Sequence, residues 1–202
     1  MTTRRFSFVR HGKVNGPAAL YGKTDIELSL EGKKDLSACL EKLNREKAFD
    51  FIISSPLKRC ALAAQDFANA ISKPISLDIN LQELNFGEWD GVDFNLLGNE
   101  WLQLEKFWQL PLSTTPPQGE SLTVFQSRVS SAWSNIKNLQ HEHTLILCHG
   151  GTIRMIIAEI LNIPLESALF QQLHIDYGSS TCIEISDHIN AKPIIRCIGA
   201  RS

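Results

Sequence analysis

The sequence predicts one α/β domain with a largely parallel β-sheet, and three observations lead to that fold class. The 202 residues are 43% hydrophobic, which suits a single compact core. Short apolar runs recur along the chain, each followed by Gly or Ser/Pro and then by helical periodicity. This strand, loop and helix order is typical of α/β sheets, and it is interrupted once, between residues 86 and 119.

Five segments rich in Ile, Val, Phe or Leu are predicted as strands: 5–9, 51–54, 144–148, 181–186 and 194–198. Four helices are predicted between them. The first begins at Ser29 as N-cap and ends near 44–47, and the second follows Pro56. The third covers 121–139 and the fourth covers 152–161, and each carries apolar residues at helical spacing.

The segment 86–119 is predicted to be a cap inserted into the single domain 1–202. It is too long for a bare loop in a compact protein, so we expect short helices that cover a site. It is rich in aromatic residues, namely Trp89, Phe94, Trp101, Phe107 and Trp108. These side chains line a site, fill a small core of their own, or do both.

Charge and composition exclude several classes of protein. The formal net charge is -2 and Lys and Arg form no run, so no nucleic-acid or membrane partner is predicted. The apolar stretch near the N-terminus is too short for a signal peptide or a membrane span, which favours the cytoplasm. The five cysteines lack CxxC spacing and are predicted as buried free thiols: Cys39, Cys60, Cys148, Cys182 and Cys197.

Two histidines each follow a predicted strand. Arg10-His11-Gly12 ends the first strand, and His149-Gly150-Gly151 lies between the strand 144–148 and a helix. Open α/β sheets bind ligands at the carboxyl ends of their strands. If the two strands are neighbours, both histidines therefore reach the same crevice.

Arg10 and Arg59 are candidates for binding phosphate. Phosphoryl transfer needs cationic donors for the oxygens of the ester, and the guanidinium group binds phosphate through two parallel hydrogen bonds. Arg59 lies where the strand 51–54 passes into a helix, so it can reach the crevice together with the positive end of that helix.

A nucleophilic histidine must be neutral, and the leaving oxygen needs a proton from a nearby acid. Glu83 is the candidate acid, since apolar neighbours would desolvate it and favour its protonated form. Glu88 is the alternative, although a carboxylate beside Asp90-Gly91 more often caps a turn. The six histidines include no HExxH motif, and His141-Glu142-His143 reads as a polar turn, so no metal is predicted.

Together these residues resemble the histidine phosphatase superfamily, which includes phosphoglycerate mutases and α-ribazole phosphatases. The resemblance covers nearly the whole chain and keeps the order of the family's motifs. Those motifs are Arg10-His11-Gly12, Tyr21-Gly22 through Asp25 to Leu30 and Gly32, Ser54 to Arg59, Leu81-Gln82-Glu83, and His149-Gly150-Gly151. Phe86 to Gly91 and Gln118 to Leu122 look most like the α-ribazole phosphatase branch.

The resemblance implies a three-layer α/β/α fold of the phosphoglycerate mutase type, with the crevice beneath the cap. It implies that His11 becomes phosphorylated, that Arg10, Arg59 and His149 bind the phosphoryl oxygens, and that Glu83 protonates the leaving group and then activates water. No cofactor is needed. Asn15 and Gly22 are implied as further substrate-binding residues, although Asn15 lies out of register and Lys13 replaces the usual acidic or amide residue.

The implied function is hydrolysis of a small phosphomonoester, with α-ribazole 5'-phosphate in cobalamin biosynthesis as the first candidate. The tryptophans of the cap suit a flat aromatic base. The alternatives are a phosphoglycerate mutase-type phosphotransferase, a phosphatase of broad specificity, and a non-catalytic module that binds a phosphorylated ligand. Neither the substrate nor the oligomeric state can be read from the sequence.

Overall fold

A computed structural model of the protein describes residues 3–165 and 169–201, and a six-stranded sheet forms the centre of this part. The strands are β1 (Thr3–Arg10), β2 (Phe51–Ser54), β3 (Ile75–Leu77), β4 (His143–Cys148), β5 (Ser180–Ser186) and β6 (Ile194–Ala200). Their order across the sheet is β3-β2-β4-β1-β5-β6. The first four of these are mutually parallel, and β5 is antiparallel to β1 and β6. The predicted, mostly parallel sheet is confirmed.

All five predicted strands are present, and the structure adds one, β3. This strand has three residues at the edge of the sheet, and Ser76 and Leu77 are exposed. A short edge strand has neither the length nor the alternation of apolar residues that would reveal it in a sequence.

The helices are α1 (Leu30–Glu46), α2 (Lys58–Ile71), α3 (Glu100–Gln109), α4 (Leu122–Ile136), α5 (Gly150–Leu161) and α6 (Leu169–Gln172). Ser29 caps α1 as predicted, because its Oγ accepts the Gly32 N–H at 3.0 Å. Helix α5 begins two residues earlier than predicted, since His149 is its N-cap. None of the helices in the described ranges is long and apolar enough to span a membrane.

Helices cover both faces of the sheet. On one face Phe6 and Phe8 of β1 pack edge-on against Trp133 of α4, with ring centroids 5.6 and 5.8 Å apart. On the other face Val9 packs in a buried cluster with Leu36 of α1 and Phe67 of α2. Successive residues of β1 thus face opposite helical layers, and the predicted three-layer α/β/α class is confirmed.

The segment predicted as the cap lies between β3 and α4 and holds helix α3 and two 3-10 turns, Gly87–Trp89 and Phe94–Leu96. Trp89 and Phe107 are both buried, with ring centroids 6.1 Å apart, and the Trp89 indole N–H donates to Glu100 Oε2 at 3.1 Å. Part of the aromatic cluster therefore forms a core beneath α3. Trp101, by contrast, is 42% exposed.

The five cysteines are free thiols, as predicted, but they are not equally buried. Cys39, Cys60 and Cys148 are buried. Cys182 and Cys197 are partly exposed and face each other across the β5–β6 pair, so the prediction of burial is wrong for these two. Strand β6 lies at the sheet edge, and each of its residues is exposed or only partly buried.

His143 is the buried first residue of β4, not part of a polar turn. Its Nδ1 donates to the Lys47 carbonyl at 2.9 Å, so its Nε2 accepts from the Ser7 hydroxyl at 2.8 Å. A neutral ring with its hydrogen on Nδ1 satisfies both bonds. Burial, the largest cause, lowers the pKa of His143 to about 4.

We expect this histidine to make the fold acid-sensitive. The folded pKa lies below the unfolded value of about 6.5, so the unfolded chain binds the proton first as pH falls. Stability that is complete above pH 6.5 should then decline toward pH 4, by up to about 1.4 kcal/mol per pH unit from this group. Urea unfolding at several pH values should give a free energy of unfolding that changes less with pH in His143→Gln than in the wild type. An unchanged slope would contradict this assignment.

Candidate active site

The two predicted histidines meet at the carboxyl ends of adjacent strands. Strands β1 and β4 pair in parallel with Arg10 opposite Cys148, so the residues that follow them share one edge. The rings of His11 and His149 lie edge to face with centroids 5.1 Å apart. The structure therefore brings the two histidines together beside one crevice, which we define by Arg10, His11, Glu83, Gly151, Arg154 and the apolar wall that includes Phe86 and Trp108. His11 lines this crevice, whereas His149 is fully buried and does not line it, so the expected contact of His149 with phosphoryl oxygens has no support in the geometry.

His11 has the proton arrangement that a nucleophile needs. Its Nδ1 lies 2.8 Å from the Gly12 carbonyl, and since a carbonyl only accepts, Nδ1 carries the hydrogen. Burial, followed by the charges of Arg59 and Arg10, holds the pKa of His11 well below its ordinary value. The ring is thus neutral, and the lone pair is on Nε2.

Gly12 fixes the turn that presents this ring. A Cβ on Gly12 would lie 2.1 Å from the Gly32 carbonyl in the first turn of α1. Two backbone segments approach here too closely for any side chain, which keeps the Gly12 carbonyl against His11 Nδ1.

Arg10 lies beside His11 with one donor unused. Its Nη1 donates to the Ile175 carbonyl at 2.6 Å, and its guanidinium carbon lies 3.8 Å from the centre of the Tyr177 ring. The buried Nε has no hydrogen-bond partner within residues 3–165 and 169–201. A buried donor without a partner is costly, so this atom suits an anionic ligand.

Arg59 is fully buried behind the histidines and is held mostly by backbone carbonyls. Nη1 donates to Thr24, and Nη2 donates to Tyr21 and Gly22, each at 2.8 Å. Its Nε donates to His149 Nδ1 at 3.2 Å. Nη1 makes one hydrogen bond within the described residues, and Arg59 itself does not line the crevice. Gly22, predicted to bind substrate, here holds Arg59 through its carbonyl.

The loop that supplies these carbonyls is fixed by Asp90, which the sequence analysis named only as a neighbour of Glu88. The Asp90 carboxylate accepts the backbone N–H groups of Gly22, Lys23 and Thr24 at 3.2, 2.6 and 2.9 Å. The start of the cap thus fixes the position of Arg59 through three successive amides.

His149 is also neutral. Because Nδ1 accepts from Arg59, the ring hydrogen is on Nε2, which donates to Ser55 Oγ at 2.8 Å. Burial, then the charge of Arg59, lowers the pKa of His149 well below its ordinary value. Both nitrogens are bonded to protein groups, a pairing that the strand-end argument did not predict.

Glu83, the predicted acid, also lines the crevice. Its Oε2 accepts the Gly151 N–H at 2.9 Å, in the first turn of α5. A Cβ on Gly151 would lie 2.3 Å from Oε1, so the glycine makes room for the carboxylate. Glu88, the alternative acid, is exposed and does not line the crevice.

The structure does not bring Lys13 or Asn15 into the crevice. Lys13 is exposed and pairs with Glu31 at 3.3 Å. Asn15 is exposed too, and its backbone N–H donates to the Glu27 carbonyl at 2.9 Å. The prediction that Asn15 binds substrate therefore has no support in the geometry, because the short path to Tyr21 leaves it on the surface.

Arg154 is a crevice residue that the sequence analysis missed. Its Nε donates to the Leu173 carbonyl at 2.5 Å, and its Nη1 lies 3.3 Å from the point that a Cβ on Gly150 would occupy. Arg10 Nε lies 3.4 Å from the same point. The signal was present, since Arg154 is four residues after Gly150 and so on the same helix face.

The charges of the crevice suit a dianion. Arg10 and Arg154 both line it, with Arg59 behind them, and none of the three forms an ion pair with an acidic side chain in the described part of the chain. Among residues 3–165 and 169–201, no three His, Cys, Asp or Glu side chains are grouped to hold a metal ion.

The chain matches the model of the histidine phosphatase superfamily (branch 1) over residues 6–192. It is 24% identical over 177 residues to a glucosyl-3-phosphoglycerate phosphatase of Mycolicibacterium vanbaalenii, covering 83% of this chain and 78% of the relative. It is 29% identical over 164 residues to "Probable phosphoglycerate mutase GpmB" of Escherichia coli, covering 77% and 74%. Three mycobacterial relatives are longer, and the chain spans 50% of their length.

The fold is also that of the α-ribazole phosphatase from Shigella flexneri, with a TM-score of 0.82 and 23% identity over 98% of this chain and 97% of that one. The relatives named above include both a phosphatase and a probable phosphoglycerate mutase. The chain belongs to the histidine phosphatase superfamily. The predicted enzyme class, a phosphatase of this superfamily, is confirmed at the level that includes both phosphatases and mutases.

Proposed function

We propose that this enzyme hydrolyses phosphomonoesters in two steps through a phosphohistidine at His11. The observation that carries the proposal is the pairing of a neutral His11, whose Nε2 is the unprotonated nitrogen, with an unpartnered Arg10 Nε beside it. Glu83 lines the same crevice as His11, which supports it as the acid for the leaving group.

In the first step the His11 Nε2 lone pair attacks phosphorus, and the bond from phosphorus to the ester oxygen breaks. The protonated Glu83 carboxyl gives its proton to that oxygen, which leaves as an alcohol. Arg10 and Arg154, with Arg59 behind them, stabilise the charge on the phosphoryl oxygens, and His149 keeps Arg59 in place.

In the second step the Glu83 carboxylate removes a proton from water as the water oxygen attacks phosphorus. The phosphorus–nitrogen bond breaks, inorganic phosphate leaves, and both His11 and Glu83 return to their starting protonation states. Glu83 carries the transferred proton in both steps and His11 carries the phosphoryl group, so the proposed cycle needs no cofactor.

We further propose α-ribazole 5'-phosphate, an intermediate of cobalamin nucleotide-loop assembly, as the substrate of this cytoplasmic enzyme. The crevice has an apolar wall formed by the segment 86–119 and α4, with Phe86, Trp108 and Phe125 facing the cationic end. Such a wall suits a flat heteroaromatic leaving group. The fold shared with the Shigella flexneri enzyme is consistent with this substrate.

A substrate panel tests both levels of the proposal. We expect release of phosphate from p-nitrophenyl phosphate and the highest kcat/KM with α-ribazole 5'-phosphate, compared with phosphoserine, phosphoglycerates and sugar phosphates. Equal kcat/KM values across the panel would indicate a phosphatase of broad specificity. Interconversion of 3- and 2-phosphoglycerate without phosphate release would overturn hydrolysis in favour of a mutase.

Two tryptophans of α3 give a matched test of the apolar wall. Of the cap tryptophans, Trp108 lines the crevice, whereas Trp101 is exposed on the same helix and donates to Glu105. Trp108→Ala should raise KM about 10-fold for an aromatic phosphomonoester, as expected for loss of a stacking surface, and much less for glycerol phosphate. Trp101→Ala should change neither value. Equal effects of the two variants would rule out stacking on Trp108.

A further inference from the structure

Arg128, in the middle of α4, has every donor of its guanidinium group bonded. Nη1 donates to the carbonyls of Asn80 and Gln82 at 2.9 and 2.7 Å, and Nη2 donates to the carbonyl of Glu83 at 2.8 Å. Nε and the second hydrogen of Nη2 bind the two oxygens of Glu120 at 3.0 and 2.5 Å. Three of its five bonds thus fix the backbone of residues 80–83, which includes the candidate acid Glu83.

Glu120 fixes the backbone on the C-terminal side of Glu83. Its Oε1 also accepts the Asn85 N–H at 2.8 Å, and its backbone N–H donates to the Asn85 carbonyl at 3.0 Å. The side chains of Arg128 and Glu120 are only 20% and 13% exposed. The pair therefore holds residues 80–85 on both sides of Glu83.

These bonds replace a missing element of secondary structure. Residues 82–85 lie outside any helix or strand, so their carbonyls have no ladder or helix partners. Arg128 supplies such partners. At its far end the Glu83 side chain is fixed separately, by the Gly151 N–H. Helix α4 thus fixes the backbone of Glu83 through Arg128, and helix α5 fixes its carboxylate through the Gly151 N–H.

We infer that Arg128 and Glu120 form a positioning pair for the general acid, a role that rests on the proposed function of Glu83. A buried ion pair adds little net stability, because desolvation of both charges offsets their attraction. Its bonds to three carbonyls of one short segment fix where the Glu83 carboxyl lies, and proton transfer depends on distances within hydrogen-bond reach.

The test compares two leaving groups. Glycerol phosphate releases an alkoxide that must be protonated, whereas p-nitrophenyl phosphate releases a weakly basic phenolate that needs little help. In a two-step mechanism kcat/KM reports only the steps up to release of the first product. Arg128→Met should therefore lower kcat/KM about 10- to 100-fold for glycerol phosphate, within the range of acid catalysis, and less than about 3-fold for p-nitrophenyl phosphate.

Arg4→Met is the matched control for loss of stability. Arg4 also donates from Nη1 to two carbonyls, those of Lys137 and Leu139, and forms an ion pair with Asp187 at 3.3 Å. It lies near the start of β1, at the opposite end of the strand from His11. Its loss should lower the temperature of unfolding without any difference between the two substrates.

Glu83→Gln separates the failure of this inference from failure of the proposed function. If Glu83→Gln and Arg128→Met share the leaving-group dependence, and the double variant is no worse than Glu83→Gln, the positioning role is supported. If Glu83→Gln shows the dependence and Arg128→Met does not, the pair is merely structural. If Glu83→Gln shows none, Glu83 is not the acid, and both proposals fail.

Discussion

His11→Ala should lower kcat/KM for any phosphomonoester by about 10⁴-fold or more, the scale seen when an enzyme loses its nucleophile. The structure gives the reason. His11 has its hydrogen on Nδ1, bound to the Gly12 carbonyl, and its Nε2 lone pair beside Arg10. Among the described residues, His11 is the one histidine that lines the crevice, and both nitrogens of its neighbour His149 are bonded to Arg59 and Ser55.

His188→Ala is the matched control, since His188 is exposed on the loop between β5 and β6. It should retain full activity. Quenching the wild-type enzyme in alkali during turnover should trap phosphate on His11 in a form that acid then releases, and peptide mass spectrometry can locate it. Turnover that persists in His11→Ala, or phosphate trapped on another residue, would rule out this mechanism.

The pH dependence of this step follows from the same burial. Since the pKa of His11 lies well below its ordinary value, the ring stays neutral as pH falls through the usual histidine range near 6.5. Protonation of the nucleophile should therefore not limit kcat/KM until the pH is well below that range. A fall in kcat/KM centred near pH 6.5 would contradict a buried, neutral His11, provided that it persists when each of the other histidines is replaced.

The sequence predicted the layers of the fold well, because they depend on local patterns. Apolar runs gave β1, β2, β4, β5 and β6, and helical spacing gave the four large helices. What it missed depends on contacts distant along the chain. Strand β3 exists because it pairs with β2, and the antiparallel β5–β6 pair leaves Cys182 and Cys197 partly exposed.

The same division applies to the candidate site. Residues that follow strands could be placed without a structure, so His11 and His149 meet as expected. Roles that depend on bonds between distant segments could not. Gly22 and Arg59 bind each other although they are 37 positions apart, and Arg128 binds the Glu83 carbonyl at a separation of 45 positions. Such bonds leave no periodicity in the sequence.

Glu83→Gln should separate the two chemical steps that we propose for this carboxyl. Glutamine keeps the shape and can still accept the Gly151 N–H, but it neither gives nor takes a proton. For glycerol phosphate, kcat/KM should fall by about 10²- to 10⁴-fold, the usual contribution of a general acid. For p-nitrophenyl phosphate, kcat/KM should fall far less, because its leaving group needs little protonation.

Hydrolysis of the phosphohistidine, the second step, should nevertheless be slower with both substrates, since the same carboxylate activates water. Glu83→Gln should therefore release a burst of p-nitrophenol and accumulate phosphohistidine, because His11 is phosphorylated faster than it is hydrolysed. Glu88→Gln is the control, as Glu88 is exposed and outside the crevice. A burst in Glu88→Gln, with normal turnover in Glu83→Gln, would transfer the acid's role to Glu88. Its position at the entry to the cap would then require the cap to close over the crevice during turnover.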